Sequence, residues 1–163
     1  MTFRCSTCGE IHEGLPDIGF RFPDYYFGVP EGERETRITE NEDLCIIDNE
    51  DYFIRGVMRI PLTDYEEDFG IGVWVSQKKE NFETYVDNYN SDEIGPFFGW
   101  LSNEIPFFDE DTINLKTMAH FQGNDQRPLI VPNDADHPLC IAYHQGLTFH
   151  QAWELINEYN DGA

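Results

Sequence analysis

The chain has 163 residues, close to the length of one domain. Hydrophobic residues make up 40% of it and aromatic residues 15%, a composition that argues against a disordered polymer. It carries 32 acidic against 10 basic residues, a formal net charge of −22. Because such a surface repels phosphate groups, we expect neither nucleic acid nor an anionic membrane as a partner. A well-solvated surface is the simpler explanation of this charge, and an acidic face that docks a basic protein partner is the alternative.

The N-terminal segment, residues 1–16, holds the sharpest chemical pattern, Cys5-Ser6-Thr7-Cys8-Gly9 followed by His12. Two cysteines separated by two residues present both thiolates to one tetrahedral ion, and His12 lies near enough to add an imidazole. Zinc suits mixed thiolate and imidazole ligation, so zinc is the predicted cofactor. Reduced structural thiols and a redox pair are the other interpretations. Redox use is disfavoured because no helix pattern follows the second cysteine.

The fourth ligand of this zinc site is open, since no second Cys-x-x-Cys follows. The alternatives are a water, a carboxylate, Cys45, His137, Cys140 and His144. No apolar leader precedes the cysteines, and no stretch is long enough to cross a bilayer. We therefore expect a cytoplasmic protein whose cysteines are reduced or bound to metal.

The elements of the chain follow from its hydrophobic patterns. Prolines make the first forty residues largely irregular, apart from a short polar helix within 31–40. Strands are predicted over 44–48, 52–62, 69–75, 97–101, 112–121, 127–131 and 139–143. Ser76 is the predicted N-cap of a helix over 77–89, and Thr148 with Gln151 has the spacing of a capping box for a helix ending near Tyr159.

The order of these elements predicts the fold class. The turn 64–68 joins the strands 52–62 and 69–75 as a hairpin. On the strand 69–75, Gly70 and Gly72 share the face opposite the apolar residues, which predicts close approach of a neighbouring element. Hairpin order with few helices predicts an α+β fold: a mostly antiparallel sheet, a few flanking helices and an irregular, cysteine-containing N-terminal segment. We expect residues 1–163 to form a single domain.

The few basic residues form a candidate ligand-binding set. Arg55 and Arg59 share one face of the strand 52–62, while Lys116 and His120 share the polar face of the strand 112–121, and Arg127 follows. If these strands are neighbours, the set Arg55, Lys116, His120 and Arg127 converges on an anionic ligand. Ordinary ion pairs with the many acidic residues are the alternative.

An ordered set of motifs extends along nearly the whole chain. It comprises Cys5-x-x-Cys8-Gly9-x-x-His12, Asp43-Leu44-Cys45, Phe53-Ile54-Arg55-Gly56, Gly72-Val73-Trp74-Val75-Ser76, Phe98-Gly99-Trp100-Leu101, Asn114-Leu115-Lys116-Thr117 and Asp136-His137-Pro138-Leu139. The set resembles the bacterial domain-of-unknown-function family 2199, which implies no activity.

The resemblance also sorts the candidate residues. It implies that the family pattern includes Cys5, Cys8, His12, Cys45, Arg55, Lys116, His120 and His137. Cys140 and Arg59 depart from that pattern, so Cys45 and His137 become the preferred sources of the fourth metal ligand.

Two functions follow as expectations. The first is a non-enzymatic binding or immunity-type protein with an N-terminal structural zinc site, since no convincing catalytic set of residues accompanies the charge. The alternative is a small zinc-dependent hydrolase in which an incomplete Cys5, Cys8 and His12 site leaves a position for water.

Overall fold

A computed structural model describes residues 15–161 and, as backbone only, two short strands before them. The strands are β1 (Thr2–Arg4), β2 (Ile11–Glu13), β3 (Ile18–Gly19), β4 (Ile38–Glu40), β5 (Leu44–Ile47), β6 (Asp51–Ile60), β7 (Phe69–Gln77), β8 (Phe97–Trp100), β9 (Lys116–His120) and β10 (Leu129–Pro132). The helices are α1 (Arg34–Arg37), α2 (Lys79–Asp87), α3 (Pro138–Gln145) and α4 (Phe149–Asp161), with 3-10 turns at Asp24–Gly28 and Glu31–Glu33. The α+β class is confirmed.

The main sheet is mixed but mostly antiparallel, in the order β3-β7-β6-β10-β9-β8, with β5 beside β6 and β4 beside β5. Its centre is the predicted hairpin, in which β6 pairs with β7 from Tyr52 opposite Gln77 to Ile60 opposite Phe69. The parallel pairs are β3 with β7 and β10 with β6. β1 and β2 form a separate antiparallel pair.

The outer edge of β6 has two partners. Its first half pairs with β5, where Ile54 lies opposite Leu44, and its second half meets β10, where Val57 lies opposite Leu129. The sheet also curls, because Leu101 directly after β8 bridges to Val75 of β7. These two features bring distant segments of the chain together on one face of β6 and β7.

Strict alternation along β6 and β7 separates the core from that face. The apolar side chains of one parity, such as Met58 and Ile71, are fully buried beneath α2, α3 and α4. Each such side chain contributes roughly 1.5–3 kcal/mol through burial. The opposite face carries a smaller cluster consisting of Val29, Cys45, Ile47, Phe53 and Trp74. Beyond that cluster, the opposite face opens into the cleft described below.

The segment 139–143 is a helix, and its predicted strand was wrong. A five-residue apolar run fits either element, and here Pro138 occupies the first turn of α3 while His137 caps it through Nδ1, which accepts from the Leu139 amide at 3.0 Å. Within this helix Cys140 is buried and His144 is exposed.

Three other boundaries test the sequence patterns. Ser76 does not cap α2, because β7 continues to Gln77 and the helix starts at Lys79. The strand predicted from residue 112 begins at Lys116. The capping box is confirmed: the Thr148 amide donates to the Gln151 side chain at 2.9 Å and the Gln151 amide donates to Thr148 Oγ1 at 3.1 Å.

None of the helices in the part of the chain that the structure describes combines the length and apolarity needed to cross a bilayer.

Candidate functional site

A cleft of about 630 Å³ opens on the outer face of the sheet where β3, β7, β6 and β10 lie side by side. We call it the Arg55 cleft; its lining includes Arg55, Arg59, Arg127, Asp17, Asp43, Asp125, Gln122, Gln126, Tyr89 and several glycines. The three arginines and three aspartates balance, so the lining has no net formal charge in a chain of −22. It is therefore a relatively electropositive place on an acidic protein.

Glycines keep the floor of the cleft low. A Cβ on Gly72 would lie 3.4 Å from the Gly19 Cα, and one on Gly70 would lie 2.8 Å from Asp17. The predicted close approach at these two glycines is confirmed, with β3 as the neighbouring element. Because no side chain rises from Gly70 or Gly72, the arginines of β6 stand above the floor on the same face.

Arg55 is the central charged group of the cleft. Its side chain lies beside Trp74, with Cζ 5.8 Å from the ring centroid, and Nη1 donates to the Glu42 carbonyl oxygen at 3.1 Å. Its Nε is buried and has no acceptor among the described residues. Burial lowers the pKa of Arg55, and the nearby Arg127 and Arg21 charges lower it further. Arg55 is thus a partly desolvated cation with a free donor.

Arg127 is held beside Arg55 by an ion pair. Its Nε donates to Asp43 Oδ1 at 2.9 Å, and its carbonyl oxygen accepts from Gln122 Nε2 at 2.6 Å. The Asp43 carbonyl oxygen in turn accepts from the Arg55 amide at 3.0 Å. Asp43 therefore contacts both arginine residues. Its carboxylate pairs with the Arg127 guanidinium, whereas only its carbonyl oxygen contacts Arg55, through the backbone amide.

Arg59 marks the other end of the cleft. Its Nη1 is 3.5 Å from Asp17 Oδ2, and Asp17 Oδ1 accepts from the Gly70 amide at 2.9 Å. Both side chains of this pair are about half exposed, at 46% and 56%, so the pair is weak and the Arg59 guanidinium is available to a ligand.

The structure brings together two members of the predicted ligand-binding set. Arg55 and Arg127 line the same cleft, whereas Lys116 and His120 lie on β9, exposed and outside it. The reason is topological: β10 inserts between β6 and β9, so the two strands that carry these residues are not neighbours.

Sequence reasoning missed the aspartates of the cleft, Asp17 and Asp43, which hold Arg59 and Arg127 in place. Arg59 itself was predicted to share a strand face with Arg55 but was set aside because it departs from the family pattern. The shared face is confirmed, since Arg55 pairs with Trp74 and Arg59 pairs with Gly70.

Of the predicted metal ligands, Cys5 and Cys8 lie outside the described residues, and His12 is described only as backbone in β2. Among the residues that the structure describes, no three His, Cys, Asp or Glu side chains gather closely enough to hold a metal ion.

The two preferred fourth ligands have other contacts here. Cys45 is fully buried in the small apolar cluster, and burial raises the pKa of its thiol to about 12. His137 is 8% exposed; its Nδ1 accepts from Leu139 and its Nε2 lies 2.8 Å from the Asp111 carbonyl oxygen. Zinc ligation by either residue would have to displace these contacts.

No curated protein and no solved structure matches this chain significantly. A family described as "Uncharacterized protein conserved in bacteria (DUF2199)" matches residues 4–147, which includes every residue of the Arg55 cleft named above. The chain belongs to this bacterial domain family, DUF2199.

Proposed function

We propose that this chain is a non-enzymatic binding protein that holds a small anionic ligand in the Arg55 cleft. The observation that carries the proposal is the buried Nε of Arg55, a charged donor without an acceptor among the described residues. Leaving such a donor unsatisfied is unfavourable, and a ligand oxygen that draws the guanidinium toward the cleft would satisfy it.

The chemistry of the lining indicates the ligand class. Guanidinium groups bind carboxylate and phosphate oxygens through paired donors, and the Gln122 and Gln126 amides are further polar groups at the wall. The lining named above contains no serine, cysteine or histidine, and two of its three aspartates, Asp17 and Asp43, are paired with arginines, which supports binding over catalysis. A molecule with a carboxylate or phosphate group is therefore the proposed ligand.

The test measures thermal unfolding with phosphate, sulfate and citrate at constant ionic strength. We expect a ligand-dependent rise in Tm for the wild type and for Lys79→Gln, which makes the same charge change outside the cleft. The rise should disappear in Arg55→Gln and be reduced in Arg55→Lys, which retains the charge without the fork. Equal shifts in all four proteins, or none in any, would overturn the proposal.

We also propose a structural zinc ion at Cys5, Cys8 and His12. Its support is the ligand spacing. Because Cys45 and His137 are engaged elsewhere, a carboxylate is the fourth ligand that would close the site. Metal analysis of purified protein should find zinc in the wild type and in Cys45→Ser but not in Cys8→Ser. A wild type without zinc, or loss of zinc in Cys45→Ser, would contradict this assignment. Cytoplasmic location remains a prediction from the cysteine content.

A zinc-dependent hydrolase is the second candidate. If neither Cys45 nor His137 closes the site, a metal held by three ligands keeps a position for water. Hydrolysis of p-nitrophenyl acetate that requires zinc and is lost in Cys8→Ser would favour this candidate; zinc-loaded protein without hydrolysis would favour a purely structural ion.

A further inference from the structure

A second groove, of about 430 Å³, lies at the open end of the β6–β7 hairpin, away from its turn. The start of β6, the end of β7 and the strand β8 line this groove. Two aromatic side chains of β8 form one wall: Phe98 is 37% exposed, Trp100 is 43% exposed, and their rings meet edge to face at 4.9 Å. We call this the Trp100 groove. Large aromatic surface left in solvent beside a concavity is typical of a recognition site.

The groove is flanked by carboxylates. Glu50 and Asp51 line it, both are exposed, and neither forms a salt bridge within the described part of the chain. Lys78 also lines it and has no acidic partner there either. Two carboxylates beside two aromatic rings form an environment suited to a cation, through Coulomb attraction and cation–π contact.

Gln77 adds an independent indication of what the groove accepts. Its side chain is 93% buried (7% exposed), and its Nε2 donates to the Ser76 carbonyl oxygen at 2.8 Å and the Phe98 carbonyl oxygen at 3.1 Å. These bonds fix the amide so that Oε1 is the remaining polar atom, and Oε1 is buried without a donor among the described residues. Gln77 lines the groove, so a cationic nitrogen there would supply the missing donor once the amide turns toward it.

We propose that the Trp100 groove binds a lysine or arginine side chain of a basic segment in a partner protein. The cation would lie against the rings of Phe98 and Trp100, pair with Glu50 and Asp51, and donate to Gln77 Oε1. The net charge of −22 attracts such a segment to the protein, whereas the groove determines where its side chain is held. This site is separate from the Arg55 cleft and shares none of its lining residues.

The probe is a fluorescein-labelled twelve-residue peptide of alternating arginine and glycine, with citrulline replacing arginine in a neutral control peptide. Binding is measured by fluorescence anisotropy at physiological ionic strength, where screening suppresses diffuse attraction. We expect the arginine peptide to bind and the citrulline peptide not to bind. Trp100→Ala should weaken binding about fivefold, the equivalent of one cation–π contact of about 1 kcal/mol.

The charge test uses two matched double variants. Glu50→Gln with Asp51→Asn removes two charges from the groove, and Asp109→Asn with Glu110→Gln removes two from exposed positions outside it. The first pair should weaken peptide binding at least about fivefold and the second less than about twofold. Equal losses in both pairs would show diffuse attraction only and would overturn the proposal.

Two further variants protect the test against misfolding. Phe98→Ala removes the other wall and should weaken binding as Trp100→Ala does, with circular dichroism confirming that each variant is folded. Lys78→Ala removes a positive charge that repels the incoming cation and should strengthen binding about two- to threefold. Wild-type affinity in both folded wall variants would also refute the proposal.

Discussion

Gly56 lies on β6 at a point where the segment that carries β10 approaches closely. Replacing Gly56 with alanine tests how tightly the two strands pack there. A Cβ at this position would lie 2.5 Å from Ile130 Cγ1, 2.6 Å from Ile130 Cδ1 and 2.8 Å from the Pro128 carbonyl oxygen. Favourable contact between carbon atoms requires about 3.5–4.0 Å. The Pro128 oxygen cannot simply recede, because it accepts the Val57 amide at 3.0 Å and so joins the two strands.

Overpacking typically destabilises a protein by about 1–3 kcal/mol, and because the Pro128 carbonyl is fixed we expect Gly56→Ala to cost about 3 kcal/mol. With a slope of about 2 kcal/mol per molar urea, the unfolding midpoint should fall by about 1.5 M. The corresponding fall in Tm is about 6–12 °C for a chain of this size. Tryptophan fluorescence during urea unfolding measures the first quantity, and calorimetry measures the second.

Two companion variants make the result specific to this contact. Gly28→Ala adds the same methyl group where nothing lies within 4 Å, and it should change stability by less than about 0.5 kcal/mol. Ile130→Val removes Cδ1, so the double variant with Gly56→Ala should lose less stability than the sum of the two single variants. Wild-type stability in Gly56→Ala, or strict additivity in the double variant, would refute the packing argument.

Three other predictions concern local interactions. Thr148→Ala removes one half of the confirmed capping box and should cost about 1 kcal/mol, measured as a fall in Tm of about 2–4 °C. The pKa of Asp48 is lowered by its hydrogen bond with Arg37, so the stability this pair provides is present above the unfolded carboxyl pKa of about 3.9 and disappears as the pH falls below it. Between about pH 5 and pH 2, the range over which this carboxyl titrates, the wild type should therefore lose more stability than Asp48→Asn. Equal loss of stability in the two proteins, measured by calorimetry, would contradict this. His137→Ala should destabilise by about 1–3 kcal/mol through loss of the α3 cap and the Asp111 contact, whereas His137→Asn, which retains a capping oxygen, should lose less in urea unfolding.

Local pattern was enough to predict the central hairpin and its two faces. Side chains alternate along a strand, and the apolar residues of β6 and β7 face the core. The residues between them, Arg55 and Arg59 on β6 and Gly70 and Gly72 on β7, therefore share the opposite face. The capping box of α4 was equally readable, because both of its hydrogen bonds join residues three positions apart.

Short segments without a strong period were not decided by sequence. The run 139–143 fits a strand or a helix, and α3 forms because His137 caps it, Pro138 starts it and its apolar residues Leu139 and Ala142 pack into the core. Likewise Ser76 looks like an N-cap, yet β7 continues through it because Tyr52 of β6 still pairs with Gln77.

Local patterns therefore predict which residues of a strand lie on the same face and which lie on the opposite one. They do not predict which strands are neighbours, which follows from the tertiary structure. β10 comes far later in the chain than β6 but pairs with its second half, which places Arg127 beside Arg55 and Asp43 and leaves Lys116 and His120 one strand beyond. The physical reason is that strand pairing depends on the burial of the whole core, a property that no local spacing of residues records.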